Sequence, residues 1–292
     1  PVLITNVTSA AQGTDIDSAT KGINFGSTST VIGSDSQGYN YNASGGTYVG
    51  WHWSGGSSTV SNTDGSITSS VSANTTAGFS IVSYAGNSTA GATVGHGLGS
   101  APTWILGKNR TDADTWFMYH GSLGGGFSMG LNNTNAKDSN TGFWNSTAPS
   151  STVFTLGNNT DANETGKNFI AYCFAEKKGY SKFGSYTGNG NADGTYIHLG
   201  FKAAYIMIKG TGSGTNWFIQ DNKRNPHNIV DKYLNADSNA ADQSADMFDI
   251  TANGIKQRNT FANLNGSGST YIFMAFAENP FVSSGGIPTT AR

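Results

Sequence analysis

Two stretches of this chain are versions of one another: Asn168 to Glu176 reads Asn-Phe-Ile-Ala-Tyr-Cys-Phe-Ala-Glu, and Thr270 to Glu278 reads Thr-Tyr-Ile-Phe-Met-Ala-Phe-Ala-Glu. Both are aromatic and β-branched and are bounded by turn residues, so each reads as a strand. Tyr172 and Phe174 overlie Met274 and Phe276 on one face, while Ala171 and Cys173 overlie Phe273 and Ala275 on the other. A strand that is apolar on both faces cannot lie on a surface; it needs cover above and below. A third version, Thr47 to Trp53, puts Trp51 and Trp53 on the aromatic face, with Gly50 and His52 opposite, and is expected to be a strand too.

The rest of the chain repeats around these strands. Tyr84-Ala85-Gly86-Asn87 matches Tyr186-Thr187-Gly188-Asn189, and Trp104-Ile105-Leu106-Gly107-Lys108 matches Tyr205-Ile206-Met207-Ile208-Lys209. The offset is 101 residues from Trp116 to Trp217 and 102 from Glu176 to Glu278. A period of this length marks tandem domains rather than a solenoid of short repeats. Short strands separated by Gly/Asn/Ser turns predict an all-β protein of tandem antiparallel β-sandwich, jelly-roll-like units with almost no helix. Residues 77–178 and 179–292 are the two complete units. Residues 1–76 hold a partial amino-terminal unit, in which Gly22-Ile23 resembles Gly254-Ile255, followed by a Ser/Thr/Gly-rich linker over 54–76 that is expected to pair at most as an edge strand. An incomplete unit has to finish its core against the next unit or a neighbouring chain. Val2-Leu3-Ile4 reads as a short pairing or attachment segment. One helix is expected, from Asn225 through Leu234, with Asn225 as cap and Pro226 at the first helical position.

Composition narrows the function classes. Charged residues make up 12% of the chain, about half the usual share of roughly 25%, and the formal net charge is −2 without a basic run. This predicts no nucleic-acid partner. No apolar run approaches the roughly 20 residues of a membrane span, so no membrane insertion is expected, and the first residues, Pro1-Val2-Leu3, carry no secretory leader pattern. Sequons such as Asn87 and Asn145 are expected by chance in a chain this rich in Asn and Thr. Cys173 is the only cysteine, which excludes an intrachain disulfide, and its place in a strand predicts a buried, inert thiol.

No catalytic residue, cofactor or bound metal is expected. Glu176 and Glu278 resemble a glycosidase pair only until their equivalence is noticed: they occupy the same place in two separate units, which points to a structural role at a strand end. His96 and His198 stand at nearly matching places, again a structural signal, and no zinc spacing accompanies them. Gly124-Gly125-Gly126 lacks the Lys-Ser/Thr of a phosphate loop. Asn189, Asn191 and Asp193 alternate like the ligands of a calcium loop, but the later bidentate Glu is missing, so a hairpin turn is the better reading. The cluster Asp237, Asp242, Asp246 and Asp249 reads as a solvated loop. Of the tryptophans, all but Trp144 fall in repeated strand positions and are expected in the core. Trp144, flanked by Phe143 and Asn145 in a polar loop, is the candidate platform for stacking a host-surface glycan.

The strings Ala77-Gly78-Phe79-Ser80-Ile81-Val82-Ser83-Tyr84, Gly95-His96-Gly97-Leu98-Gly99-Ser100-Ala101-Pro102 and Tyr271 through Phe281 resemble a repeat domain of virion proteins from tailed phages of marine bacteria, over roughly 40 to 290. The closing Gly285 to Arg292 resembles the carboxyl terminus found there. The resemblance implies a structural or appendage protein of a virion, and the expected function is a non-enzymatic virion protein on the particle exterior, a tail fibre, tail-associated or other virion surface component, with other virion proteins and copies of itself as partners. It brings no catalytic residues. Capsid decoration and a glycan-binding adhesin that contacts the host stand as alternatives.

Overall fold

A computed structural model describes residues 3–11, 17–18, 21–25, 29–33 and 42–279. Val2 and the closing Gly285 to Arg292 lie outside the described residues. Near the amino terminus β1 (Asp17–Ser18), β2 (Lys21–Phe25) and β3 (Thr30–Ile32) form a three-stranded antiparallel sheet. The 54–76 stretch supplies β4 (Val60–Asn62) and β5 (Ser69–Asn74), and the first repeat contains β6 (Phe79–Ala85), β7 (Thr93–Gly95), β8 (Trp104–Asn109), β9 (Phe117–His120), β10 (Met129–Gly130), β11 (Val153–Thr155), the one-turn α1 (Thr160–Asn163) and β12 (Asn168–Phe174). The second contains β13 (Ser181–Thr187), β14 (Tyr196–His198), β15 (Ala203–Gly210), β16 (Trp217–Asp221), β17 (Val230–Asn235), β18 (Gln243–Thr251), β19 (Gly254–Gln257), α2 (Ala262–Asn265) and β20 (Thr270–Ala277). The protein is all-β, and among the described residues every pair of strands is antiparallel.

The repeat holds at the level of topology. A seven-stranded sheet runs β10-β9-β8-β12-β6-β5-β4, and an eight-stranded one runs β13-β20-β15-β16-β17-β18-β19-β14. The block β9-β8-β12-β6 of the first is the block β16-β15-β20-β13 of the second. β7 pairs with β11 as β14 pairs with β19. The second sheet curls until its ends approach: Thr195 Oγ1 donates to Thr187 O at 2.8 Å and Gln257 Nε2 to Tyr186 Oη at 3.2 Å. The result is nearly a closed barrel, and closure protects strand edges. In the first repeat the β7–β11 pair stays separate and is tied to the sheet by Ile67 N–H to Thr93 O and Ser69 Oγ to Gly95 O.

The two-sided apolar strands find their cover in a layered arrangement. Ala171 and Cys173 of β12 face a core inside the first repeat, and Phe273 and Ala275 of β20 face one inside the second. The opposite faces, with Phe174, Met274 and Phe276, meet in a third core between the two sheets. There the Trp104 and Trp217 rings are 5.9 Å apart, as are Phe174 and Phe276. Burying one Phe or Met side chain is worth about 1.5–3 kcal/mol, so separating the sheets would cost many such terms at once. Trp51 and Trp53 pack on this same middle layer.

The repeated Tyr-x-Gly-Asn motif joins the start of each repeat to its short helix. Tyr84 Oη donates to Ala162 O at 2.8 Å and Tyr186 Oη to Leu264 O at 2.6 Å. Asn163 Oδ1 accepts Asn87 N–H at 2.9 Å, and Asn265 Oδ1 accepts Asn189 N–H at 3.0 Å. The intervening Gly86 and Gly188 are required by space: a Cβ would collide with Glu164 O in one and Gly266 O in the other.

Several expectations are corrected. Thr47 to Trp53 forms no strand; it runs as an irregular arm whose indoles still reach the middle layer. Residues 225–234 form no helix. Instead β17 begins at Val230, and the Asn225 side chain accepts Lys232 N–H and donates to Asp231, serving a turn into a strand. Its first residue, the β-branched Val230, favours the strand. The 54–76 stretch is more than a linker with a single edge strand: β5 lies inside the sheet between β6 and β4, with Val71 only 1% exposed. Leu3 and Ile4 form no strand, but Ile4 O accepts the Trp116 indole N–H at 3.0 Å.

Candidate functional site

The loop that carries Trp144 folds inward. Thr141 O accepts Asn145 N–H and Trp144 O accepts Thr147 N–H, which closes the loop as a cap over the first core. Trp144 is 1% exposed, with its ring 5.5 Å from Phe117 and 5.7 Å from Tyr119; Phe143 is 8% exposed. The expected glycan platform is therefore core, and only Asn145 of the three is exposed. Its polar neighbours misled the sequence reading, because they form the outer skin of the cap.

Asn189, Asn191 and Asp193 turn their oxygens onto their own backbone. Asn189 Oδ1 accepts Asn191 N–H, Asn191 Oδ1 accepts Asp193 N–H, and Asp193 pairs with Lys256 at 2.7 Å. These are the bonds of successive Asx turns. Glu176 Oε2 accepts Phe183 N–H at 3.3 Å, and Glu278 meets Lys202 at 2.7 Å. Both carboxylates tie a strand end to a neighbour. Asp237 accepts Trp217 N–H, while Asp242 and Asp249 pair with Arg224 and Arg258, so the supposed loop cluster is dispersed. Among the described residues no group of three or more His, Cys, Asp or Glu is placed to hold a metal.

Several buried polar side chains bond the backbone. His96 is fully buried, its Nδ1 accepting Leu98 N–H and its Nε2 meeting Ser150 O; His198, its expected counterpart, is exposed. Lys108 Nζ donates to the carbonyls of Asn109 and Asp112. Lys209 Nζ donates to Thr134 O, Asn135 O, Thr215 O and Thr215 Oγ1, and burial pushes its pKa down to about 8. Cys173 is fully buried, which pushes its thiol well up. Among the described residues no helix is long and apolar enough to cross a membrane.

One cleft stands apart from these. It has a volume of about 320 Å³ and opens where the 49–53 arm crosses the second sheet. Trp53 packs edge-on against Tyr205 at 5.4 Å and Phe276 at 5.3 Å, and Trp51 lies 5.3 Å from Tyr205. Tyr180 completes the wall, 5.6 Å from Phe276. The rim is built by the turn after β16. Asp221 Oδ1 accepts the backbone N–H groups of Lys223 and Arg224, and its Oδ2 takes Arg224 Nε at 2.8 Å. That fixes the guanidinium 5.8 Å from the Trp51 ring, within cation–π range. Two polar atoms here are shut from solvent without a hydrogen-bond partner among the described residues: Trp51 Nε1, a donor, and Asn222 Oδ1, an acceptor. The sequence signal for half of this cleft was the Trp51/Trp53 alternation. The other half, Tyr180, Tyr205 and Asn222, carries no local motif.

Two further concavities exist. One of about 260 Å³ is lined by Asn133, Asn135, Asn140, Asn159, Asp138 and Asp161; burial and the Asp114 charge raise the Asp161 pKa. The other, about 470 Å³, lies among Ile81, Ile170, Tyr172 and Arg110, on the face of the first sheet that also carries Phe174.

Fold and cleft together define a tandem-repeat β protein whose two units share one aromatic layer, edged by an aromatic-walled cleft. The chain belongs to the DUF7483 family, a domain of unknown function, whose family model matches residues 2–280. No curated protein and no solved structure matches it.

Proposed function

We propose that this protein is a non-enzymatic structural component of a bacteriophage virion, carried on the particle exterior as a tail fibre or tail-associated protein and assembled with copies of itself and other virion proteins. The observation that supports it best is the use made of buried polar groups. His96, His120, Lys108 and Lys209 all bond backbone oxygens, and His96 and His120 accept backbone N–H groups as well. That is chemistry spent on rigidity. The strings around Phe79 to Tyr84 and Tyr271 to Phe281 support the virion assignment by their resemblance to phage repeat domains. The bare β-branched side chains of the amino-terminal sheet, Ile23, Val31 and Ile32, suit contact with a neighbouring subunit. Imaging of intact particles with labelled antibody tests the proposal. Label at the tail supports it, label on a regular capsid lattice moves the role to decoration, and protein found only free of particles overturns it.

A second reading, contact with host-surface glycan, is favoured by the cleft of Trp51, Trp53, Tyr180 and Tyr205. Aromatic faces beside hydrogen-bonding groups suit the mixed apolar and hydroxylated surfaces of sugars. Retention of the protein on a glycan array, lost in Trp53→Ala, would support this reading; uniform absence of retention would remove it.

A further inference from the structure

The cleft on the first sheet is built by features that the repeat does not require. Val71, Val82, Ala171 and Cys173 enter the first core. By strand alternation, Ser70 and Ser72 of β5, Ile81 and Ser83 of β6, and Ile170 and Tyr172 of β12 stand on the opposite face. Ladder pairing sets them in two rows, Ser70–Ser83–Ile170 and Ser72–Ile81–Tyr172. All six line the cavity of about 470 Å³, and so does Arg110, just past the end of β8. Burial raises the Tyr172 pKa and the charge of Arg110 lowers it, so guanidinium and phenol share one neighbourhood.

The second repeat has none of this. Ile272 and Met274, the counterparts of Ile170 and Tyr172, are 0% and 3% exposed, whereas Ile170 and Tyr172 are only half-buried. Among the described residues no strand pairs with β13 in the place that β5 takes beside β6. Thr211 stands where Arg110 stands in the first repeat: Arg110 N–H donates to Asn168 O at 2.8 Å and Thr211 N–H to Thr270 O at 2.9 Å. The fold therefore accepts a neutral residue at this place. The Arg110 side chain forms no hydrogen bond or ion pair with any described residue, and the Ser70 and Ser83 hydroxyls are unpaired among them as well.

We propose that this cleft binds an acidic sugar, one whose ring carries a carboxylate or a sulfate. The anionic group pairs with the Arg110 fork. The C–H face of the ring lies on Tyr172 and the two isoleucines, and its hydroxyls meet those of Ser70 and Ser83. A neutral sugar would leave the cation without a counter-ion. A fatty acid would supply the charge but press methylenes onto the serine hydroxyls and leave them unsatisfied. The site is separate from the Trp51 cleft and does not rest on the reading that places glycan there.

The test is calorimetric titration of the full chain at low salt with a galacturonate trimer, the methyl ester of that trimer, a galactose trimer carrying sulfate esters, and octanoate. The expected result is binding of an acidic trimer, weakening as salt is raised, with the uncharged ester weaker by roughly tenfold or more. Preference between the two acidic trimers identifies the anion. Arg110→Thr installs the residue that the second repeat carries at this place. It is expected to bring the acidic trimer down to the level of the ester while leaving the ester unchanged, with thermal unfolding as the check on folding. Trp53→Ala is expected to leave binding of the acidic trimer as it was; loss there would move the binding to the other cleft and overturn the assignment. Equal binding of acid and ester, binding of octanoate alone, or absence of binding by every probe would overturn it too.

Discussion

His120 lies at the end of β9, fully buried between the sheets. Its Nδ1 accepts Ser122 N–H at 3.0 Å, so the ring proton belongs on Nε2, which faces Phe273 O of the other repeat at 3.4 Å. Burial pushes its pKa down to about 4, so the neutral ring is the native one. A folded pKa below the unfolded one gives stability that is complete above about 6.5 and is lost as pH falls through about 4. The shift corresponds to about 3 kcal/mol. Denaturant unfolding of the wild type should therefore weaken over this window, and His120→Gln should flatten that slope. Trp144 gives a residue-scale prediction of the opposite kind. As a core side chain, Trp144→Ala should cost about 3–5 kcal/mol in urea unfolding while leaving saccharide binding at the Trp51 cleft unchanged. A surface platform would show the reverse.

At the scale of the element, what was legible in the sequence follows from what a short window can encode. The central strands were readable because their alternation is local: Ala171 and Cys173 against Phe174, Phe273 and Ala275 against Met274 and Phe276, each set on its expected side. The helix expected over 225–234 failed because the same local signals, an Asx side chain followed by Pro, also start a turn into a strand. The Thr47 to Trp53 arm shows the limit of similarity between segments. It keeps the side chains that reach the middle layer but takes no place in a ladder. The 54–76 stretch hid β5 because a Ser-rich strand paired on both sides looks like linker when read alone. The cleft was half-hidden for a different reason: Asn222 and Tyr180 join Trp51 only through the fold. The Tyr-x-Gly-Asn elements offer a direct test. Gly188→Ala places a methyl against Gly266 O and is expected to cost about 1–3 kcal/mol in thermal or urea unfolding, whereas Gly212→Ala, where a methyl meets nothing within 4 Å, should lie within about 0.5 kcal/mol of wild type.

For the whole molecule, the middle layer makes two repeats into one body. Besides its side chains, polar bonds cross it: Trp217 Nε1 donates to Gly130 O at 2.9 Å, Lys137 N–H to Thr211 O, and Lys209 Nζ to the carbonyls of Thr134 and Asn135. Calorimetry should accordingly show both repeats melting in one transition. Lys209→Met would remove the ammonium and strand those oxygens, at roughly 1–3 kcal/mol for each left unsatisfied, and should lower that transition without splitting it. Two separate transitions in the wild type would mean that the layer is too weak to couple the repeats.

The position of β20 between β13 and β15 has a mechanical consequence. A tensile load entering at Ala277 would pull β20 lengthwise past two antiparallel neighbours at once, from the Ser181↔Phe276 and Ala203↔Ala277 pairs down to Thr187↔Thr270 and Gly210↔Tyr271. Ladder bonds lie across the strand, so such a pull loads both rows in shear and they yield together, whereas a strand at a sheet edge would peel one bond at a time. Force arriving at the carboxyl end of β20 thus meets two ladders loaded together rather than one edge that can peel.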